Sequence, residues 1–343
     1  MHSPLPIEYD VSLRSHNSFG IDARAHAYLR VDHADVLSAV RNTASLVDLP
    51  RLILGGGSNI LLTDDFPGLV LHMLTKGVDI VGEDTQTVHV RAAAGENWHG
   101  FVLWTLQHGL AGLENLSLIP GSVGAAPIQN IGAYGLEVEA RIHSVRFFDF
   151  DSGDIVSMTQ AACGFGYRDS VFKHALRDRA VVLDVTFTLP KQWQAMTGYA
   201  DVGQELDRRQ IGTPSARDVS DAVIAIRTRK LPDPAVIGNA GSFFKNPMVD
   251  AAQHAQLFAQ YPHLVSHAQP DGRFKLAAGW LIDQCGWKGR NLGAAGVYEK
   301  QALVLVNRGG ASGKDIAHLA HAIQTDVQNR FGVLLEPEPI YLG

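Results

Sequence analysis

The first half of the chain alternates short apolar runs with glycine turns, and the second half carries longer apolar stripes at helical spacing. Val181, Leu183, Val185, Phe187 and Leu189 alternate with Val182, Asp184, Thr186 and Thr188, which predicts a strand with one buried face, ended by Pro190. Val88-His89-Val90-Arg91-Ala92 repeats that pattern. Leu52-Ile53-Leu54 predicts a buried strand running into Gly55-Gly56-Gly57. Asp151-Ser152-Gly153 joins two strand-like runs, a hairpin signal. Glu96 to His108 reads as a helix, with Trp98, Phe101, Val102, Thr105 and Leu106 on one face and Gly109 as its stop.

In the second half, Thr213-Pro214 suits an N-cap and first helical position, and Val219, Ala222, Val223 and Ile226 supply the stripe that follows. That helix ends before Leu231-Pro232-Asp233-Pro234, because proline disfavours a helical residue ahead of it. Ser312 is placed to cap a last helix carrying Ile316, Leu319, Ile323 and Val327, with Gly332 as its C′ residue, and a strand is predicted from Val333 to Glu338. A domain boundary is expected within residues 190–212, where the long strand gives way to a polar segment.

A chain of 343 residues exceeds one ordinary core, so two or three domains are expected. Its 46% apolar and 19% charged composition is that of a soluble globular protein, and a net charge of −6 excludes a general pull toward nucleic acid. Met1 to Pro6 has no apolar run of the signal-peptide kind, and no apolar stretch is long enough for a membrane span. Cys163 and Cys285 are far apart, which argues for a reducing cytoplasm over a disulfide framework. No metal site is expected: His318 and His321 stand one turn apart on a helix, where a solvated face is the simpler reading.

Candidate chemistry gathers in three segments. Gly55-Gly56-Gly57-Ser58-Asn59 follows a strand, so its amides could cradle phosphate oxygens; it is neither a Walker A loop nor a dinucleotide fingerprint, and a plain tight turn is the alternative. Ile119 to Gly135 has small residues at nearly every turn, as backbone pressed against a flat or anionic ligand requires, or as a loop-rich sheet edge allows. Together the two suggest a large cofactor with a pyrophosphate. Gly238-Asn239-Ala240-Gly241-Ser242-Phe243-Phe244-Lys245-Asn246-Pro247 offers a hydroxyl after a flexible glycine, two aromatics able to form a dry wall, and polar groups in Lys245 and Asn246. Its ordinary reading is a strand leaving a turn, with Phe in the core and Lys in water.

These segments, with Asn17-Ser18-Phe19-Gly20-Ile21, Tyr167-Arg168-Asp169-Ser170, Lys230-Leu231-Pro232-Asp233-Pro234 and Leu335-Glu336-Pro337-Glu338, resemble the UDP-N-acetylenolpyruvoylglucosamine reductase family over nearly the whole chain. The residues around Tyr199 resemble its longer form, which carries a substrate-closing loop. The resemblance implies an α+β fold: a vanillyl-alcohol-oxidase-type FAD-binding region at 1–190, with subdomains of about 1–70 and 71–190. A C-terminal α+β substrate domain at 191–330 and a strand at 331–343 returning to the FAD region complete it. It further implies a cytoplasmic, monomeric NADPH-dependent flavoenzyme that makes UDP-N-acetylmuramate for peptidoglycan, and so serves cell shape and division. NADPH and the enolpyruvyl sugar nucleotide would use one cleft in turn. Another FAD-dependent oxidase or dehydrogenase on the same scaffold is the alternative.

By the same resemblance Ser242 is the proton donor, and Arg168 and Glu338 are the other catalytic residues, acting at the substrate carboxylate. Strand parity alone cannot separate Glu338 from Glu336, and Arg168 alone could be a surface partner of Asp169. Gly55, Gly56, Gly57, Ser58 and Asn59, with Gly121, Ser122 and Gly124, would hold the FAD pyrophosphate, with Arg227 near the flavin. Arg227, Arg229 and Lys230 form a positive patch; the resemblance gives Lys230 and Asn246 to the diphosphate or sugar. Tyr199 would close over the uridine end, Gln301 and Tyr134 would line the pocket, and Tyr167 would orient Arg168 or touch substrate. Ala125-Ala126 stands where some members carry hydroxyls, so a side-chain bond to a phosphate is put in doubt.

Overall fold

The Ala180–Pro190 strand lies at the centre of a five-stranded antiparallel sheet in a computed structural model, which describes residues 5–343. Residues 1–4, part of the N-terminal stretch read above, lie outside the described residues. The strand order is Ile155–Thr159, Ile142–Asp149, Ala180–Pro190, Thr87–Ala93, Val78–Glu83, and the first two form the hairpin that Asp151-Ser152-Gly153 predicted. The strand is buried on both faces over its first half, not on one: Val182 and Asp184 are buried as well as Val181, Leu183 and Val185. Val182 pairs with Phe147, whose ring packs edge-on against Phe172 at 5.7 Å, so the second face is covered.

A four-stranded sheet combines Glu8–Ser12, Arg24–Val31, Phe66–Met73 and Arg51–Leu54 in that order, with the last pair parallel. One continuous buried cluster, Ala27 to Leu189, spans both sheets. The predicted helix before Gly109 is Trp98–Gln107, with Asn97 accepting from the Gly100 amide as its cap.

The compact division falls after Arg229 rather than within 190–212. The first unit takes residues through Val11, 25–57 and 67–229; the second takes 12–24, 58–66 and 230–343. The physical reason is a small core of Val202, Leu206, Val219, Ala222, Val223 and Ile226, packed against Tyr134 and Trp193. It binds the helices Ala200–Arg208 and Ala216–Lys230 into the first unit. The second of these helices starts later than Thr213-Pro214 suggested: Ser215 and Asp218 exchange side-chain-to-amide bonds at 3.2 and 2.9 Å.

The second unit has a sheet ordered Gly238–Ser242, Val304–Asn307, Ala295–Val297, Asn291–Leu292, and a three-stranded sheet, Met248–Val249, Phe274–Leu276, Ser266–Ala268. Helix Gly313–Phe331 opens on a capping box of Ser312 and Asp315 and ends at Gly332 with φ 64°. His318 and His321 are exposed on it. The strand predicted at Val333–Glu338 is displaced to Ile340–Leu342, parallel to Ile60–Leu62, which directly follows Asn59 and belongs to the second unit. Val333 and Leu335 are buried and Leu334 is exposed, so the alternation is real, but among the described residues a strand partner exists only at Pro337, bridged to Phe244. Among the described residues no helix is long and apolar enough to cross a membrane.

Glu205 is 2% exposed and accepts from Arg208 at 2.5 Å, Arg209 at 3.0 Å and Arg229 at 3.2 Å. The Arg208 hydrogen bond leads the effects that hold its carboxyl down to about 2. A depressed carboxylate pKa stabilises the fold above the unfolded value and loses that stabilisation as pH falls through the folded value. Urea unfolding of the wild type should therefore weaken between roughly pH 4.5 and 2 more steeply than that of Glu205→Gln. The variant should also be roughly 3 kcal/mol less stable near neutrality, since three guanidiniums lose their charge partner. Equal pH slopes in the two proteins would contradict the assignment.

Candidate active site

The serine segment of the second unit is shaped by its neighbours. Gly238 is required because a Cβ there would collide with the Phe19 carbonyl oxygen. The buried Asn239 donates to the Ile237 carbonyl at 2.8 Å and accepts from the Gly241 amide at 2.9 Å. This tight turn inserts a bulge between the Asn239–Val306 and Ser242–Val304 pairs, and Gly241 takes φ 69°. The result is an exposed Ser242 beside buried Phe243 and Phe244. The two rings contact each other at 5.2 Å and Phe243 meets Phe19 at 6.2 Å, so they are core, not a wall over a ligand.

The Glu338 backbone pairs with the residue that follows this serine. Its amide donates to the Phe243 carbonyl at 2.8 Å, and the Lys245 amide donates to the Glu336 carbonyl at 2.9 Å. The two acids differ in their partners: Glu336 is ion-paired with Lys245, which occupies that lysine. Asn59 lies at the same place, donating from its carboxamide to the Glu338 carbonyl at 3.3 Å and accepting from the Ile340 amide at 3.0 Å. Asn246 Oδ1 accepts from the Ala278 amide at 3.0 Å, and Gln301 Oε1 stands 3.2 Å from where a Gly279 Cβ would be. Both expected ligand residues thus meet the first turn of helix Ala278–Gln284. Lys230 is the half-buried last residue of its helix.

In the first unit Arg168 has φ 56° and its guanidinium carbon lies 5.2 Å from the centre of the Tyr167 ring. Its guanidinium donates to the Gly132 carbonyl at 2.8 Å. Asp169 is engaged by His174 at 2.8 Å. Tyr134 meets Tyr199 edge-on at 5.3 Å and accepts a side-chain hydrogen bond from Arg227, which also donates to the Leu118 carbonyl at 3.2 Å. Burial raises the Tyr134 phenol above its ordinary value, while Arg227 draws it back; burial likewise lowers the Arg227 guanidinium. Arg229 serves Glu205 and leaves the positive patch. Of the seven described non-glycine residues with positive φ, four are Leu118, Asn130, Tyr134 and Arg168. Such backbone strain, of order 1–3 kcal/mol each, concentrates where geometry serves a ligand.

The two glycine loops meet backbone to backbone. A Cβ on Gly56 would lie 2.8 Å from Gly121 Cα, and one on Gly55 would collide with Ser122 Oγ. Among the described residues the amides of Gly56, Gly57, Gly121 and Ser122 donate to no carbonyl, although Gly57 and Ser122 are buried. Adjoining orphan donors of this kind suit a pyrophosphate, so the residues present fit that group. Gly124 differs: its amide donates to the Ala94 carbonyl at 2.9 Å, and a Cβ would lie 2.5 Å from Ala94 Cβ, so its part is close packing. Ser58 and Asn59 fall in the second unit.

Glu114, Asn115 and Asn130 went unnoticed in the sequence. Asn130 is fully buried, donates to the Gly166 carbonyl at 3.0 Å and accepts from the Glu139 amide at 3.0 Å, tying the Tyr-Arg segment to the small-residue loop. Its place within Gln129-Asn130-Ile131-Gly132 was the available signal, since asparagine tolerates the left-handed region.

Comparison with known proteins agrees with this division. The family described as UDP-N-acetylenolpyruvoylglucosamine reductase, C-terminal domain, matches residues 233–342, and the FAD binding domain family matches residues 25–159. The UDP-N-acetylenolpyruvoylglucosamine reductase of Burkholderia lata is 57% identical over 342 residues, 99% of this chain and 98% of its own. That of Paraburkholderia phymatum is 56% identical over 341 residues, covering 98% of each. The crystal structure of the Thermus caldophilus reductase superposes with a TM-score of 0.69 at 24% identity, covering 99% of this chain and 100% of the other, and so supports the fold.

Gly56→Ala should force the two loops apart and lower the FAD content of purified protein, read as the ratio of flavin to protein absorbance, by about tenfold or more, with far-UV circular dichroism unchanged. Full FAD content in that variant would remove the cradle assignment.

Proposed function

The chain belongs to the UDP-N-acetylenolpyruvoylglucosamine reductase family, and from that premise we propose that Ser242 gives the proton, with Arg168 and Glu338 at the substrate carboxylate, in the reduction this family performs. The protein is an FAD-containing oxidoreductase that reduces UDP-N-acetylenolpyruvoylglucosamine in peptidoglycan precursor synthesis. We assign NADPH as the reductant and UDP-N-acetylmuramate as the product. We read the protein as a cytoplasmic monomer, with the FAD pyrophosphate held by the glycine loops of the first unit.

Bound FAD supplies the hydride; the protein must control the charge and the proton. Hydride addition to an enol ether carboxylate leaves negative charge on the carbon α to the carboxylate, delocalised into that carboxylate. Arg168 offers a planar, permanently charged fork to those oxygens, and Tyr167 beneath it restricts its orientation. Glu338 supplies a hydrogen bond to the same carboxylate when it carries a proton. Ser242 holds a proton on Oγ and transfers it to the carbanionic carbon. A serine hydroxyl is a weak acid, so transfer depends on the strong basicity of that carbon, and the exposed Ser242 regains a proton from water. Gly56, Gly57, Gly121 and Ser122 would hold the FAD pyrophosphate through their amides. Tyr134, Tyr199, Lys230, Asn246 and Gln301 are assigned to the sugar nucleotide.

The observation that supports this reading is the backbone pairing of Glu338 with Phe243, the residue after an exposed serine that follows a bulge in its sheet. In an anaerobic stopped-flow experiment, Ser242→Ala should be reduced by NADPH within about twofold of the wild-type rate. Its reoxidation by the enolpyruvyl sugar nucleotide should slow by roughly 10²–10⁴-fold, the usual worth of a positioned proton donor. Equal slowing of both halves would sink the assignment.

A further inference from the structure

Between Pro190 and Ala200 the chain has no regular secondary structure, yet it delivers Tyr199 against Tyr134. Two consecutive buried residues hold it. Glu114, 1% exposed, accepts from Trp193 Nε1 at 2.7 Å and from the Gly112 amide at 2.6 Å. Asn115, fully buried, donates through Nδ2 to the Met196 carbonyl and to the Tyr134 carbonyl, both at 2.9 Å. One side-chain amide therefore joins the backbone of Tyr134, itself at φ 50°, to the backbone of the segment that leads to Tyr199. Asn115 Oδ1 is buried with no hydrogen-bond partner. Packing alone would favour an apolar residue of similar size there, since an unpaired acceptor destabilises. Turning the amide over would set Oδ1 against two carbonyl oxygens, so its orientation is determined. What asparagine adds at this position is the pair of donated bonds.

We propose that Glu114 and Asn115 are positioning residues for the nucleotide half of the substrate. They fix Trp193 and Met196 so that Tyr199 stands against Tyr134, and thereby set affinity for the sugar nucleotide without acting in hydride or proton transfer. The inference rests on the assignment of Tyr134 and Tyr199 to the substrate pocket.

Trp193→Phe keeps an aromatic ring and deletes the N–H, and Asn115→Ala deletes both carboxamide donors. Each FAD-loaded variant should show about a five- to tenfold higher KM for the enolpyruvyl sugar nucleotide, the change that loss of one or two such bonds allows. Calorimetric binding of uridine diphosphate should weaken by the same factor, and NADPH-driven flavin reduction should keep its rate. In a Tyr199→Ala background, Trp193→Phe should add less than about twofold, because the residue being positioned is gone. Unchanged KM and uridine diphosphate affinity in Trp193→Phe overturns the proposal, as does a full further loss in the Tyr199→Ala background. Tyr199→Ala with wild-type KM and uridine diphosphate affinity would instead remove the pocket assignment, and the positioning role with it.

Discussion

Two backbone hydrogen bonds between the segment after Ser242 and the segment ending at Glu338 set the register of these two stretches of chain. They are anchored from below by Phe243, Phe244 and Leu335, each almost without solvent exposure. Buried apolar side chains on one side and paired amides on the other leave this short ladder little freedom to slip. A one-residue slip would present Pro337 in place of Glu338 and break both bonds. It would also separate Glu336 from Lys245, its ion-pair partner. The segments that carry Ser242 and Glu338 are thus held in register by contacts that are themselves ordinary core and strand physics.

Elsewhere in the assigned site, local rules are broken in a consistent direction. Asn130, Tyr134 and Arg168 occupy the left-handed region, where a Cβ is disfavoured. Among the described residues the amides of the buried Gly57 and Ser122 donate to no carbonyl, and Asn115 buries an acceptor without a partner. Natural sequences are consistent across levels except where function demands otherwise. A cofactor phosphate would account for the amides, as tethering of the Tyr199 segment would for the asparagine. In the helices away from the site, capping and patterning follow the usual preferences, as the Ser312–Asp315 box and Gly332 show.

Much of the scaffold was legible because its signals are local. Alternation over 181–189, the Asp151-Ser152-Gly153 hairpin and the caps of the last helix depend on residues a few positions apart. The assigned site rests mainly on resemblance to a family, and the structure shows why local reading stalls there. Ser242 is exposed because Asn239 curls the preceding backbone into a bulge, which no alternation pattern encodes. The two phenylalanines invited a ligand-facing reading and instead fill the core. Trp193 and Met196 bond to Glu114 and Asn115 across about 80 positions of chain, so those two acceptor and donor residues look like any polar turn. The terminal strand was misplaced because Val333 and Leu335 alternate inward without a partner strand, a distinction that only the fold can make.

The account holds that Ser242 and Glu338 work as one unit on the substrate carbanion. A double-mutant cycle on the reoxidation step tests this most directly, using Ser242→Ala, Glu338→Gln and the pair in anaerobic stopped flow. Residues that act together lose rate sub-additively, so the double variant should be within about tenfold of the slower single variant. A double variant whose loss equals the product of the two single losses would show two independent groups and contradict the account.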